Sequence, residues 1–253
     1  MMIDPSLSWA KTQAISQAFT YLDSVESTNT WLMAKNIASA AEVVVTLNQV
    51  GGRGRLNRRW VNQPGEGLAL SVVVPSILKE NARKLASTWI PLLAGAAVVK
   101  SVQSIGIQDA TMKWPNDVLV GARKLAGILC EVRPDGHVVA GVGINVRFSD
   151  HPPDARAISL DEVLKDAPAM LDDLVAGIIR RLSQLVEADP SQQQETVTSV
   201  LGTLGRDVQV LGRDGSTRTG HAVGLDEHGA LLVRMTDGIT SVVTSSDIEH
   251  LYQ

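Results

Sequence analysis

The sequence predicts an α+β protein, with a largely antiparallel sheet, helices packed on it, and a small β-barrel at the C-terminal end. Three observations predict this. Segments rich in β-branched residues, at 41–49 and 67–75, stand among long stretches whose apolar residues recur at helical spacing. Three strand-like segments then follow one another with only tight turns between them, which makes their pairing antiparallel. After Gly205 the chain changes character, and four or five short strands in under 50 residues suit a barrel.

Taken in order, residues 1–26 read as short and irregular, with no room for a three-helix DNA-binding module. Ser27 or Thr28 offers a side-chain oxygen to free backbone N–H groups, so a helix is expected from about Asn29 to Ala40. The strand at 41–49 runs into a glycine–arginine loop, and the strand at 67–75 is ended by Pro75. Residues 82–104, rich in Ala, Leu and Val, predict a mostly buried helix stopped by Gly106. Strands are expected at about 118–121, 124–132 and 137–148, with turns at Gly121-Ala122 and Pro134-Asp135-Gly136. Helices are expected at 158–166 and 169–188, the second carrying Leu171, Leu174, Val175, Ile178, Ile179, Leu182 and Leu185 on one face, and a short one starts within 189–196. In the tail, Arg213-Asp214-Gly215, Glu227-His228-Gly229 and Thr236-Asp237-Gly238 are the turns. The expected division is 1–204 and 205–253.

Composition bounds the function. The 253 residues are 44% hydrophobic, enough for one large domain or two unequal ones. A formal charge of −4 argues against a dedicated nucleic-acid binder, which is usually basic as a domain. One cysteine, Cys130, excludes an internal disulfide, and five scattered histidines give no zinc spacing. No apolar run approaches the ~20 residues of a membrane span, and the mixed, acidic N-terminus is not a signal peptide, so a soluble cytoplasmic protein is expected.

Against that acidic background, residues 50–60 hold three glycines and four arginines and close on Trp60. Glycines let a backbone approach a ligand closely, and guanidinium groups match carboxylate and phosphate oxygens. The segment is neither a dinucleotide fingerprint nor a P-loop, because no Gly-Lys-Ser/Thr follows; it reads as an anion-holding loop or, more blandly, as a solvated basic turn. Lys113-Trp114-Pro115-Asn116-Asp117 reads as a turn with outward polar groups, functional or ordinary. Lys124 starts an apolar strand and either serves a site or reaches out to solvent. Gly141 and Gly143 alternate along one strand and Gly127 sits on its neighbour, which leaves either a bare floor under a planar ring or a strand crossing. Together these are cationic donors (Arg53, Arg55, Arg58, Lys124), a glycine floor and polar hydrogen-bonders (Ser27, Thr28, Asn29, Gln49, Asn116, Asn145). With no Ser/His/Asp triad, Cys/His nucleophile or metal cage in view, the chemistry that fits is activation and transfer, by positioning and charge stabilisation.

The order and gaps of Ser27-Thr28-Asn29, Gln49, Gly52-Arg53-Gly54-Arg55-Leu56-Asn57-Arg58-Arg59-Trp60, Lys113-Trp114-Pro115-Asn116-Asp117, Lys124 to Leu129, and Gly143-Ile144-Asn145 resemble those of the biotin–protein ligases, also called biotin–[acetyl-CoA-carboxylase] ligases. The resemblance implies a mixed, largely antiparallel central sheet of the biotin/lipoate ligase type and an SH3-like C-terminal barrel. It implies that biotin attacks the α-phosphate of ATP, with Mg²⁺ assisting, to give biotinyl-5′-AMP, and that a lysine of a biotin carboxyl carrier domain of acetyl-CoA or a related carboxylase then takes the biotinyl group.

It also implies residue roles. Arg55, Lys124 and Asp117 are the catalytic candidates, Asp117 orienting the carrier lysine or accepting its proton. A free lysine is over ~99% protonated at neutral pH given a pKa of about 10.4. Ser27, Thr28, Asn29, Gln49, Gly52, Arg53, Arg55, Lys124, Gly127, Gly141 and Gly143 are expected around biotin. Arg53, Arg55, Arg58, Trp60, Lys113, Asn116, Lys124 and Asn145 are expected around ATP and the adenylate, with no protein metal ligand because Mg²⁺ comes with the nucleotide. Many bacterial relatives carry an N-terminal DNA-binding module that this chain has no room for, so a monofunctional type that binds no nucleic acid and no membrane is expected. Relatives include monomers and dimers, so a homodimer stays open. Asn57 stands where some relatives have glycine, and loop motion is expected to differ there. A lipoate or octanoyl transferase of the same fold is the alternative.

Overall fold

A computed structural model describes residues 8–16, 18–36, 42–74, 87–149, 152, 154–211, 216–244 and 247–250. The central sheet has seven strands: β1 (Ala18–Leu22), β2 (Glu42–Thr46), β3 (Gly67–Val74), β4 (Ala110–Lys113), β5 (Asp117–Val120), β6 (Arg123–Val132) and β7 (Val138–Asn145), in the order β1-β2-β3-β7-β6-β5-β4. Among the described strands, β1 and β2 pair in parallel and the other neighbours in this sheet are antiparallel. The hairpin run from β4 to β7 is antiparallel throughout, as the short turns require. At the turn between β5 and β6, Gly121 has φ +58°, a left-handed conformation glycine adopts without a Cβ clash. β2 and β3 are buried along their whole lengths, which explains why they read as continuous β-branched runs rather than alternating ones.

Two elements depart from the sequence expectation at the N-terminal end. Residues 1–26 are not simply irregular: α1 (Ala10–Ile15) and β1 lie there. Asp172 accepts hydrogen bonds from the backbone N–H groups of Lys11 and Thr12, at 2.9 Å each, and Trp9 stacks on Tyr21 at 5.8 Å between ring centroids. These partners are distant in sequence, so no local pattern announced them. β4 was also not expected; its four residues carry only two buried positions, Ala110 and Met112.

The helix after Ser27 is α2 (Thr28–Ala34), shorter than the expected 29–40, and residues 37–40 lie outside the described ones. Ser27 is its N-cap, accepting from the N–H of Thr30. Its C-terminal end is set by a residue a hundred positions away: the buried Arg133 guanidinium donates to the carbonyls of Leu32, Met33 and Lys35. A cation on the last carbonyls satisfies orphan acceptors and suits the negative end of the helix.

α3 (Ile90–Ser104) is preceded by a 3-10 turn at Ser87–Trp89 and is buried nearly all round, as its composition predicts. Gly106, at φ +113°, follows its end. The expected strand end at Pro75 and helix start at 82–86 lie outside the described residues. α4 (Leu160–Val163) is a single turn, shorter than the expected 158–166, closed by a capping box between Ser159 and Glu162. α5 (Leu171–Glu187) packs its apolar stripe on α3, and α6 (Pro190–Val200) is capped by Asp189.

The tail forms a second, antiparallel sheet of β8 (Asp207–Leu211), β9 (Thr217–Leu225), β10 (Leu231–Met235), β11 (Thr240–Val243) and β12 (Asp247–His250), in the order β11-β10-β9-β8-β12. The turn expected at 213–215 lies outside the described residues. One face, including Val208, Val210, Ala222, Leu231, Val233 and Ile248, joins the main core. Two tryptophans of the first unit fasten it: Trp89 Nε1 donates to the carbonyl of Glu227 at 2.8 Å, and Trp114 Nε1 to that of Gly229 at 3.0 Å. This second sheet closes one end of the cavity described next.

Candidate active site

A cavity of about 750 Å³ opens over β7, β6 and β5, roofed by the glycine–arginine loop and closed at one end by the C-terminal sheet. A small-molecule pocket is of this size. Every expected site residue but one lines it: Ser27, Thr28, Asn29, Gln49, Arg53, Arg55, Arg58, Trp60, Lys113, Asn116, Asp117, Lys124, Gly127, Gly141, Gly143 and Asn145. The exception is Gly52. It lies behind the wall, where a Cβ would collide with the Trp60 carbonyl oxygen and come within 2.8 Å of Gln49 Nε2.

One end of the cavity is neutral and tightly bonded. The Thr28 backbone N–H donates to Gln49 Oε1 at 2.9 Å. The Ser71 hydroxyl lies 2.7 Å from Thr28 Oγ1 and 2.6 Å from Asn29 Oδ1, and Asn29 Nδ2 donates to the Leu129 carbonyl and to Glu131. Thr28, Asn29 and Ser71 are all buried. Gly141 permits this arrangement, since a Cβ there would strike the Asn29 amide.

The rest of the cavity is cationic. Arg53, Arg55, Arg58, Arg59, Lys113, Lys124 and Arg156 line it against two carboxylates, Asp117 and Asp154. In a chain of net charge −4 this concentration is local. Lys124 Nζ lies 2.7 Å from Asp117 Oδ1. Arg55 Nη1 donates to Asn116 Oδ1 at 3.2 Å, and Asn116 Nδ2 to the Ile128 carbonyl at 2.9 Å, so the loop and the 113–117 turn meet through one amide. Arg53 points to Glu131, donating to both its oxygens at 3.1 Å. The loop's backbone bends sharply at Leu56, at φ 56°, where a β-carbon is crowded. Asn145, buried, donates to the Lys124 and Ile158 carbonyls and fixes the backbone that carries Lys124.

The glycine floor carries a ring, and it is the protein's own. A Cβ on Gly143 would come within 2.6 Å of the Trp60 indole, and one on Gly127 within 3.1 Å. The Lys124 ammonium sits 5.5 Å from the Trp60 ring centre. Trp60 therefore covers the shelf between the two ends of the cavity.

Sequence reasoning did not single out Ser71, Glu131, Arg156 or His250, and it named Arg59 only as part of the loop. Ser71 and Glu131 sit on strands whose patterns are dominated by apolar neighbours. Arg156 comes from an irregular segment whose backbone carbonyl accepts from Lys124 N–H at 2.6 Å. His250 comes from the last strand of the second sheet.

Comparison with known proteins covers both parts of the chain. Residues 21–149 match the Biotin/lipoate A/B protein ligase family, and residues 203–251 match the Biotin protein ligase C terminal domain. The chain is 34% identical over 235 residues to a biotin–[acetyl-CoA-carboxylase] ligase of Mycobacterium tuberculosis, covering 89% of this chain and 86% of that one. It is 31% identical over 255 residues to the bifunctional ligase/repressor BirA of Bacillus subtilis, covering 94% and 76%. A biotin protein ligase from Aquifex aeolicus in complex with biotin and ATP superposes with a TM-score of 0.77 at 28% identity, over 93% of this chain and 100% of that one.

Proposed function

The chain belongs to the biotin/lipoate A/B protein ligase family, and from that premise we propose that it is a biotin–[acetyl-CoA-carboxylase] ligase, dividing into a catalytic unit at 1–204 and a C-terminal unit at 205–253. It activates biotin with ATP and transfers the biotinyl group to a lysine of a carrier domain. The observation that carries the reading is the asymmetric cavity: a neutral, buried hydrogen-bonding end joined to a wall of seven cations.

The chemistry follows from that asymmetry. Biotin's ureido ring is uncharged and rich in donors and acceptors, which suits Ser27, Thr28, Asn29 and Gln49. Its carboxylate then lies toward Lys124, and the triphosphate toward Arg53, Arg55, Arg58 and Lys113. A carboxylate oxygen attacks the α-phosphorus, the bond to the pyrophosphate leaving group breaks, and biotinyl-5′-AMP forms. Both reactants are anions, so the uncatalysed encounter is opposed by their repulsion. Fixed cations in a site of reduced dielectric offset it and stabilise charge as the bond forms. Asn116 and Asn145 serve the adenosine half, and Trp60 offers it a stacking face.

Among the described residues no group of three or more His, Cys, Asp or Glu gathers to hold a metal. Mg²⁺ accompanying ATP would supply further neutralisation of phosphate charge beside Arg53, Arg55, Arg58 and Lys113. In the second step the carrier lysine, as a free amine, attacks the acyl carbon, and AMP leaves while an amide forms. In this reading Asp117 orients that amine or takes its proton once Lys124 turns from it toward the phosphate, and its present contact with Lys124 supports an exchange of one ammonium partner for another. We place the reaction in the cytoplasm, with no nucleic acid or membrane partner; no helix among the described residues is long and apolar enough to cross a membrane.

The test is incubation with ATP, Mg²⁺, biotin and a purified biotin carboxyl carrier domain, followed by intact-mass measurement of the carrier. A mass gain of one biotinyl group is expected. An unmodified carrier, or acylation by octanoate or lipoate in place of biotin, overturns the reading.

A further inference from the structure

The end of the cavity farthest in sequence from the loop is closed by one polar side chain of the C-terminal sheet. His250 ends β12, paired with Val208 of β8, and is 8% exposed. Its Nε2 lies 2.9 Å from the hydroxyl of Thr203, which is fully buried. The same hydroxyl oxygen accepts the backbone N–H of Trp114 at 2.9 Å.

A threonine hydroxyl has one proton. Its oxygen takes the Trp114 N–H, and the direction of its contact with His250 Nε2 follows the imidazole tautomer: the hydroxyl donates to Nε2 when the ring is neutral and carries its proton on Nδ1. Burial, then Lys113 and Arg206 nearby, push the imidazole pKa down to about 4, which keeps the ring neutral and leaves one ring nitrogen as an acceptor. The chain of bonds runs His250 to Thr203 to Trp114, and Trp114 is the second residue of the turn that presents Lys113, Asn116 and Asp117 to the cavity.

Thr203 itself sits in a pinned segment. Gly202 N–H donates to the Met112 carbonyl at 2.9 Å, Arg206 Nε donates to the Gly202 carbonyl at 2.7 Å, and Gly205 N–H donates to the Ala222 carbonyl at 2.9 Å. A hydroxyl on so fixed a backbone can hold Trp114 in one place, provided its O–H is drawn the other way. With its proton on Nδ1, His250 supplies that acceptor.

We propose that His250, acting through Thr203, is a positioning residue that holds the Lys113–Asp117 turn against the nucleotide side of the cavity. The proposal rests on reading the cavity as a biotin and ATP site. It gives the C-terminal sheet a defined part in the first step, which is to set where the 113–117 turn meets the triphosphate, and it leaves the neutral biotin end untouched.

The full chain is compared with four variants: His250→Leu, which keeps bulk and removes the acceptor; His250→Gln, whose side-chain carbonyl can still accept; Thr203→Val; and His250→Leu combined with Thr203→Val. Pyrophosphate release gives kcat and the KM for ATP, calorimetry gives the Kd for biotin, and hydrogen exchange follows the Trp114 amide. His250→Leu is expected to raise the KM for ATP on the order of tenfold, the scale of one lost buried hydrogen bond, with kcat and the Kd for biotin changed less than about threefold. Its Trp114 amide should exchange on the order of tenfold faster, His250→Gln should recover most of both effects, and the double variant should be no worse than Thr203→Val alone.

Equal losses in ATP and biotin binding, a glutamine variant no better than leucine, or an unchanged Trp114 amide each overturn the proposal. Wild-type protein that releases no pyrophosphate with biotin and ATP sinks the functional reading instead, and the exchange measurement, which needs no substrate, still decides the contact.

Discussion

The two ends of the cavity are built on opposite principles. At the neutral end, Thr28, Asn29 and Ser71 are buried and bonded to one another, with Gln49 closing the set. At the cationic end, the guanidinium groups sit on a glycine-rich loop, and Arg53 keeps a side chain about half exposed (49%) against a single ion-pair partner. The difference follows from what each end handles. An uncharged ring is recognised by fixed donors and acceptors whose misplacement would leave buried polar groups unpaired. Repelling anions need charge brought to them and then released, which favours side chains that are weakly held before substrate arrives. Trp60, lying across Gly127 and Gly143, marks the boundary between the two.

The comparison breaks most sharply at Lys124. Lys124→Ala is expected to slow adenylate formation by roughly 10²–10³, the loss typical of one charge-stabilising donor, as read by pyrophosphate release. A wild-type rate would show that the cationic end does not stabilise the reacting charge.

Gly141→Ala tests the neutral end. The added methyl meets the Asn29 amide and must displace it. Overpacking of this kind costs about 1–3 kcal/mol, which corresponds to roughly a 5- to 150-fold weaker hold on biotin by calorimetry. The loss should depend on salt far less than that at Lys124, because the displaced group is an uncharged amide whose main partners are the Ser71 hydroxyl, the Leu129 carbonyl and one side chain, Glu131; a loss that grows as steeply as that at Lys124 when salt is removed counts against a neutral end.

Arg55→Gly addresses the loop itself. Arg55 bridges the loop to Asn116. Without that donor the adenylate is expected to be held about tenfold less tightly and to escape, labelling lysines on bystander proteins. Mass spectrometry finding no additional biotinylation contradicts this. The smallest effect is expected at Glu131→Gln. It frees Arg53 from an exposed ion pair worth no more than about 1 kcal/mol, so nucleotide affinity should change less than about fivefold, and less still in high salt. A change beyond tenfold would mean that Arg53 is anchored, and the contrast between the ends would not stand.

Much of this was legible in the sequence, for identifiable reasons. Buried strands such as β2 and β3 announce themselves by uninterrupted β-branched runs, and the β5–β6–β7 meander by its turns. The glycine–arginine loop and the 113–117 turn stand out because glycine, proline and clustered cations are costly or unusual where nothing needs them. What escaped notice depends on long-range partners. β1 is held by Trp9 and the parallel pairing with β2. α2 stops at Ala34 because Arg133 reaches its last carbonyls. Ser71, Glu131 and His250 enter the site only because sheet register and the docking of the second sheet bring them there. Residue type alone gave no reason to choose them among other serines, glutamates and histidines.

The account turns on repulsion being offset inside the cavity, and that is measurable as a coupling between ligands. Biotin and a non-hydrolysable ATP analogue with Mg²⁺ should be titrated alone and together by calorimetry, at low and at high ionic strength. The account predicts that each binds at least as tightly in the presence of the other, and that the affinity of the multiply charged nucleotide falls more steeply with salt than that of biotin, which carries one carboxylate and an uncharged ring. Biotin weakening the nucleotide more than tenfold, or nucleotide binding indifferent to salt, would contradict it.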